Sequence, residues 1–185
     1  MSELTETATR KRPPLSLKGR ALRYLARREH SRLELSRKLA AHAESREQLG
    51  RVLDELEAAG LLSNQRFAES LVHRKAERFG TALIRHELRS HRLDADLVEE
   101  KVAELGSSET ARAHALWLRR FGHPPESPQE RARQMRFLVA RGFRSDVVRR
   151  VVAGAGQPDF DETDEVPIRH SHVEPDELPD PGPDD

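Results

Sequence analysis

The sequence predicts an all-α fold: three tandem three-helix units that form an elongated, curved helical-repeat protein with disordered termini. Three observations lead to this prediction. Apolar residues recur at helical spacing through the middle of the chain, and no alternating pattern of the kind that strands show is present. Capping residues and glycines divide that stretch into about nine segments. The apolar pattern also recurs about every 50 residues, which is typical of stacked supersecondary units.

The first unit is expected at 15–62. Its predicted helices lie at 16–29, 31–43 and 46–59. The second and third of these have clear starts, because Ser31 precedes Glu34 and Ser45 precedes Gln48 in the manner of capping boxes. Gly60 follows the third helix and suits its C-terminus.

The second unit is expected at 63–106 and the third at 107–156. Their predicted helices lie at 64–79, 81–91, 95–105, 109–121, 128–141 and 146–153. The residues expected as N-caps are Ser63, Thr81, Asp94, Ser108, Ser145 and Ser127, the last of which precedes Pro128. The glycines expected at helix C-termini are Gly80, Gly106, Gly122, Gly142 and Gly154.

The units are related by internal repeats. Leu35, Leu39, Leu53 and Leu56 recur 49 positions later as Ile84, Leu88, Val102 and Leu105. A shift of 50 positions then relates Leu88, Leu93, Asp96, Val98, Val102 and Ala103 to Leu138, Phe143, Asp146, Val148, Val152 and Ala153. The tripeptide at 78–80, Arg-Phe-Gly, returns at 120–122, so the third copy carries an insertion of eight residues around the His-Pro-Pro at 123–125. We therefore expect each unit to bury its apolar face against its neighbours.

The formal net charge of zero conceals a basic body and an acidic tail. Residues 10–156 hold 31 Lys and Arg against 19 Asp and Glu, whereas 157–185 hold one Arg against 11 acids. The ends at 1–14 and 157–185 are polar and contain prolines, which predicts disorder in both. A basic body of this kind can meet DNA phosphates or an acidic protein surface.

The composition argues against enzymatic, metal and membrane functions. The chain has no cysteine, no G-x-G-x-x-G or P-loop motif and no G-x-S-x-G turn, so we expect no catalytic residues, no cofactor and no metal. The closest pair of histidines, His170 and His172, lies in the acidic tail and predicts adventitious metal affinity at most. No signal peptide and no run of 18 apolar residues is evident, so a cytoplasmic protein is expected.

Several stretches carry a resemblance to a known family. Residues 57–67 read EAAGLLSNQRF, and residues 82–88 read ALIRHEL. The first unit contains SRLELSRKL, and the middle unit begins with FGTALIRHEL. With the order of three helical triplets, these stretches resemble the RecX family over about residues 15–155. The acidic Pro-rich extension and the proline insertion depart from a minimal member.

The resemblance implies a non-enzymatic modulator, mainly an inhibitor, of the RecA recombinase in homologous recombination, DNA repair and the SOS response. Members are understood to bind along the groove of the RecA–DNA filament and so to limit its extension, ATP turnover and strand exchange. The resemblance maps no individual contact residue. It implies the RecA filament as partner and leaves open a direct contact with single- or double-stranded DNA through phosphates, and it implies no membrane partner.

The candidate contact residues come instead from the positions of the arginines. Residues 112–156 hold ten Arg against three acids, and a second run surrounds the first helix, whereas 66–111 are nearly neutral. The candidates for partner or DNA binding are Arg20, Arg23, Tyr24, Arg27, Arg28, Arg32, Arg133, Arg136, Arg141, Arg144, Arg149 and Arg150. Tyr24 is the one aromatic residue among them, and it could either stack on a partner or pack in the core.

Two alternatives remain. Short helices such as 31–43 and 46–59 could act as a helix-turn-helix reader of duplex DNA, which would make the chain a DNA-binding regulator. The chain could also be a plain helical scaffold whose arginines serve solubility. The acidic tail could fold back on the basic body and weaken its contact with DNA or with the filament at low salt.

Overall fold

The computed structural model describes residues 15–154, which form eight α-helices and, within those limits, no strand. The helices are α1 (Leu17–Leu25), α2 (Arg32–Leu39), α3 (Arg46–Ala58), α4 (Asn64–Lys75), α5 (Thr81–Ser90), α6 (Ala95–Arg120), α7 (Pro128–Val139) and α8 (Ser145–Ala153). A short 3-10 turn at Ala40–His42 extends α2. The all-α fold expected from the sequence is confirmed, while both predicted disordered ends lie outside the described residues.

The long helix α6 corrects the expected count of nine helices. We expected a helix to end at Gly106 and another to begin after an N-cap at Ser108, but both residues lie inside α6. The hydroxyls of Ser107 and Ser108 donate to the carbonyls of Glu104 and Leu105 within the helix. A serine hydroxyl that bonds back to its own helix caps nothing, so these residues give no start signal. The limits of the expected units at 106 and 107 therefore fall within one continuous helix.

Most expected caps are present. Ser31, Ser45, Ser63 and Ser127 each accept from the backbone N–H three residues later, as N-caps of α2, α3, α4 and α7. Asp94 caps α6. Two expectations were off by one residue, since Gly80 and Arg144 occupy the N-cap positions of α5 and α8 in place of Thr81 and Ser145. Gly80 is thus not a C-cap.

Burial confirms the register of the repeats. Leu35, Leu39, Leu53 and Leu56 lie in a first hydrophobic core, and Ile84, Leu88, Val102 and Leu105 lie in a second. Leu138, Phe143, Val148 and Val152 lie in a third. Equivalent positions in the three copies are therefore core positions. A buried aliphatic side chain contributes roughly 1.5–3 kcal/mol relative to an exposed one, so these positions account for much of the stability of each unit.

Polar contacts join the first core to the second. The Ser31 hydroxyl lies 2.8 Å from Nδ1 of His91, and the backbone N–H of Arg32 donates to Oδ1 of Asn64. The ring of His91 also contacts that of Phe67, with centroids 4.6 Å apart. Burial lowers the pKa of His91, which favours the neutral imidazole at this joint.

The second and third cores meet at two glycines. The N–H of Gly80 donates to the carbonyl of Arg141, and the N–H of Ala82 donates to that of Gly142. A Cβ on Gly80 would lie 2.2 Å from the backbone of Gly142, and Gly142 itself has a φ of +78°. Glycine is therefore required at both positions, once for the close approach of two backbones and once for the left-handed conformation.

A buried acid and a half-buried arginine of α6 complete this joint. Glu109 is fully buried, and its Oε1 accepts from the N–H of Thr81 at the start of α5. Arg112 donates to the carbonyls of Ala76, Phe79 and Leu105. Burial lowers the pKa of the Arg112 guanidinium, and the negative charge of Glu109 opposes that shift. The ends of α4 and α5 are thereby fixed against the middle of α6.

Candidate basic interface

The first group of candidate residues lies on and just beyond α1. Arg20 and Arg23 are three positions apart on α1, so they lie on the same face of the helix. Arg23 and Arg27 are exposed. Across residues 15–154, none of Arg20, Arg23 and Arg27 has a carboxylate within ion-pair distance. These three guanidinium groups are available for a partner.

Two neighbouring candidates are already engaged within the chain. Arg28 forms an ion pair with Glu34. Arg32 forms ion pairs with Asp54 and Glu57, which tie α2 to α3. Burial opposes ionisation of Glu34, but its hydrogen bond to Arg28 and the positive charges nearby together lower its pKa. Arg28 and Arg32 therefore hold the first unit together and offer less free charge than their position in the sequence indicates.

Tyr24 packs largely against the first core. It is half-buried beside the apolar cluster of that unit, and its ring lies 6.0 Å from that of His30. The ammonium group of Lys38 lies 5.4 Å from the centroid of the Tyr24 ring. A ring covered by its own chain on several sides is a poor platform for a nucleic-acid base. Of the two uses left open for Tyr24, packing in the core fits this environment better.

The second group of candidates lies on α7, α8 and the turn between them. Arg133 and Arg136 are exposed on one face of α7, and Arg149 is exposed on α8. Arg144 pairs with Glu109 and Asp146, and Arg150 lies 3.8 Å from Asp146. Among the described residues, Arg133, Arg136 and Arg149 have no such acidic partner. These three arginines are therefore the members of the second group whose charge is not neutralised by an acid within residues 15–154.

Arg141 lies in a setting that the sequence did not predict. Its guanidinium lies 3.8 Å from the centroid of Phe137 and donates to the Phe137 carbonyl. Burial lowers the pKa of Arg141, and the positive charges of Arg78 and Arg120 lower it further. We refer to Arg78, Arg120 and Arg141 as the arginine cluster. Arg78 and Arg120 were not among the candidates, although the repeated Arg-Phe-Gly tripeptide was a signal that could have identified them.

The described part of the chain shows no metal-binding or membrane-spanning feature. Between residues 15 and 154, no group of three or more His, Cys, Asp and Glu side chains could hold a metal ion. None of the helices in that range has the length and apolar character needed to cross a bilayer. His170 and His172 lie outside the described residues.

Two family models match the chain. The one described as the third three-helix domain of RecX matches residues 107–152, and the one described as the second three-helix domain of RecX matches residues 63–101.

Relatives and solved structures agree with these matches. The chain is 58% identical to the "Regulatory protein RecX" of Ralstonia nicotianae over 144 residues, which cover 78% of this chain and 91% of that protein. It is 57% identical to the protein of the same name from Leptothrix cholodnii, with 76% and 90% covered. The crystal structure of RecX from Lactobacillus salivarius superposes with a TM-score of 0.62 at 18% identity, covering 75% of this chain and 94% of that one.

Proposed function

Because the chain belongs to the RecX family of regulatory proteins, we propose that it modulates the RecA recombinase, mainly as an inhibitor, by binding the RecA–DNA filament. Binding would limit extension of the filament, its ATP turnover and strand exchange. The protein would act by covering part of the surface of the filament and not by catalysing a reaction. The observation that carries this proposal is the high identity to regulatory proteins of this family over most of their length.

The exposed arginines support the proposal and give it candidate contacts. Arg20, Arg23 and Arg27 lie at the N-terminal end of the described chain, and Arg133, Arg136 and Arg149 lie toward its C-terminal end. Arginines whose charge is not paired within the chain can speed association with a polyanionic filament and slow dissociation of the resulting complex. We propose that these six residues contact the filament, and that Arg28, Arg32, Arg144 and Arg150 contribute mainly to the stability of the fold.

The proposal is tested by the rate of RecA-dependent ATP hydrolysis on single-stranded DNA with increasing amounts of this protein. We expect inhibition at amounts well below those that saturate the bare DNA, because the filament and not the DNA alone is the target. Direct binding to the same DNA is measured in parallel. An unchanged hydrolysis rate, together with tight and sequence-dependent binding to duplex DNA, would favour a helix-turn-helix regulator instead.

A matched pair of variants tests the proposed contacts. The double variant Arg133→Gln/Arg136→Gln should inhibit hydrolysis less well than the parent protein. Arg46→Gln/Arg51→Gln removes the same charge from exposed positions of α3 outside the candidate surface. This control variant should inhibit hydrolysis as well as the parent protein does, because it lowers the overall positive charge but leaves the proposed contact residues in place. Equal loss in both variants would show that total charge, and not these contacts, determines inhibition.

A further inference from the structure

The arginine cluster is assembled from three separate parts of the chain. Arg78 lies in the connection after α4, Arg120 is the last residue of α6, and Arg141 lies in the turn after α7. The guanidinium of Arg119 donates to the carbonyl of Glu77 over 3.1 Å, which fixes the end of α6 beside the connection that carries Arg78. The N–H of Gly80 donates to the carbonyl of Arg141 over 2.8 Å, which brings the third arginine to the same place.

An aromatic ring lies beside each guanidinium group, and Arg141 is the one packed closely on its ring. Arg78, Arg120 and Arg141 lie 5.6, 5.8 and 3.8 Å from the ring centroids of Phe79, Phe121 and Phe137. Phe121 and Phe137 contact each other edge to face, with centroids 5.2 Å apart, so α6 and α7 are fixed together beneath the cluster. A guanidinium that rests on an aromatic ring is oriented before any ligand arrives, which reduces the entropy lost on binding.

The three arginines of the cluster form no ion pair within the described part of the chain, although Glu77, which precedes Arg78, pairs with Arg119. In the range 15–154, no carboxylate lies within ion-pair distance of Arg78, Arg120 or Arg141, whereas Arg119 and Arg144, close to them in the sequence, have acidic partners. Burial lowers the pKa of Arg141 most, and repulsion by the positive charges of Arg78 and Arg120 lowers it further. The C-terminal ends of α4, α6 and α7 lie close by, and their carbonyls offset part of this repulsion. An anion would offset it more fully, since charge-assisted bonds to guanidinium are roughly twice as strong as neutral ones.

We propose that the arginine cluster is a binding site for the phosphodiester backbone of DNA. The aromatic rings of the site are half-buried and lie against the chain's own arginines, so they offer no free face on which a base could stack. The site would therefore bind the phosphates of the DNA backbone and would not recognise a base sequence. DNA also carries about one negative charge per 1.7 Å of duplex, which matches three adjacent cations better than the spaced carboxylates of an acidic peptide. This proposal deepens the proposed function, on which it rests, by naming DNA phosphates as a ligand in the filament contact.

An acidic protein surface would be a weaker ligand for a further reason. Residues 157–185 of the chain itself hold 11 acids, which are tethered to the end of the third unit. A tethered segment is present at a high effective concentration, so a site that bound isolated carboxylates well would be occupied by the chain's own tail. A ligand of higher charge density can displace such a segment.

The site is tested by fluorescence anisotropy with labelled single-stranded oligothymidylate and with a labelled duplex, at several salt concentrations. Arg78→Gln/Arg120→Gln should bind both probes roughly tenfold more weakly at low salt, and the slope of log K against log salt on the single strand should fall by about 1.4, because each lost phosphate contact removes about 0.7. Both residues are exposed, and thermal unfolding followed by circular dichroism checks that the variant is folded.

Two further variants separate this site from general charge. Arg78→Lys/Arg120→Lys keeps the charge but loses the planar fork, so its affinity should lie between that of the parent and that of the glutamine variant. Arg46→Gln/Arg51→Gln should keep the affinity and salt slope of the parent. The proposal would be overturned if Arg46→Gln/Arg51→Gln weakened DNA binding as much as Arg78→Gln/Arg120→Gln does. It would also be overturned if polyglutamate displaced the DNA at an equal concentration of charge.

The failure of this site can be distinguished from failure of the proposed function by measuring RecA-dependent ATP hydrolysis with the same proteins. If the parent inhibits hydrolysis but Arg78→Gln/Arg120→Gln binds DNA as the parent does, the cluster is not a phosphate site and the proposed function stands. If the parent binds DNA through the cluster but leaves hydrolysis unchanged, the site stands and the proposed function fails.

Discussion

Glu109 and Arg112 have opposite charges, lie three positions apart on α6 and serve the same joint. Glu109 provides the acceptor at the start of α5, and Arg112 satisfies carbonyls at the end of α4. The second carboxylate oxygen of Glu109 has no hydrogen-bond partner among the described residues, but it lies 3.3 Å from Nε of Arg144 in an ion pair. A fully buried carboxylate is expensive unless nearby cations compensate it, and here Arg112 and Arg144 do so.

Glu109→Gln should therefore destabilise the protein. Glutamine keeps an acceptor for the Thr81 N–H but removes the negative charge that compensates the half-buried Arg112, so the free energy of unfolding should fall by about 1–3 kcal/mol. Urea denaturation followed by circular dichroism measures the change. Glu104→Gln is the control, because Glu104 is exposed and, within residues 15–154, its carboxylate pairs with Lys101 alone, which keeps Glu69 and Glu100 as partners. Its effect should stay within about 0.5 kcal/mol. An equally stable or more stable Glu109→Gln would mean that the cost of burying the charge exceeds its compensation.

At the level of the element, α6 determines how the second and third cores are placed. It packs on α4 and α5 through its first half and on α7 and α8 through its second half. Val102 and Leu105 belong to the second core, whereas Ala113 and Trp117 belong to the third. A continuous helix transmits the orientation of one core to the other, which a flexible connection at Gly106 would not do.

The continuity of α6 predicts the effect of Gly106→Ala. A Cβ at this position would meet no atom within 4 Å, and its backbone is helical. Alanine should therefore raise the free energy of unfolding by about 0.5–1 kcal/mol, since glycine is the less favourable residue within a helix. Thermal and urea unfolding check this expectation.

Gly142→Ala provides the contrast for that measurement. The new Cβ would lie 2.6 Å from Cβ of Leu83, and φ at this position is +78°. The variant should lose at least about 1 kcal/mol, because both the contact and the backbone conformation are strained. A destabilised Gly106→Ala would contradict the description of α6 as one uninterrupted helix.

For the whole molecule, the separation of charge along the chain is the dominant electrostatic feature. The basic body carries the free arginines, and the acidic residues of 157–185 oppose them. These tail residues lie outside the described part of the chain, and their contribution comes from their charge, which the sequence gives. An opposite charge on the same chain competes with external anions at low salt, and this competition is screened beyond about 10 Å at 0.1 M ionic strength.

Removal of residues 157–185 should therefore tighten binding to DNA. At low salt we expect the dissociation constant for single-stranded DNA to fall roughly tenfold, and the difference should shrink as salt is added. Anisotropy titrations of the full chain and the truncated chain measure it. A control that keeps the tail but replaces its Asp and Glu with Asn and Gln should behave like the truncated chain. Equal affinities at low ionic strength would show that the tail does not compete.

Much of the fold could be read from the sequence because its signals are local. An N-cap such as Ser31 acts on a backbone group three residues away, and a left-handed glycine such as Gly60 acts within its own turn. The apolar period likewise depends on spacing of three and four residues, so the repeat identified Leu88 and Leu138 as core positions before any contact was known. The charge of the body and the membership of the family are also properties of the linear chain.

The state of each charged side chain depends instead on residues far away in the sequence. Arg32 is neutralised by Asp54 and Glu57, while Arg78 lies near Arg120 and Arg141, and none of these three forms an ion pair within residues 15–154. The charges along 66–111 nearly cancel, so a count of them conceals Arg78, an exposed cation that belongs to the arginine cluster. Gly80 also acts through the distant backbone of Gly142, and not through its own helix end. Local rules cannot reveal such pairings, because electrostatic energy and steric contact depend on distance in space.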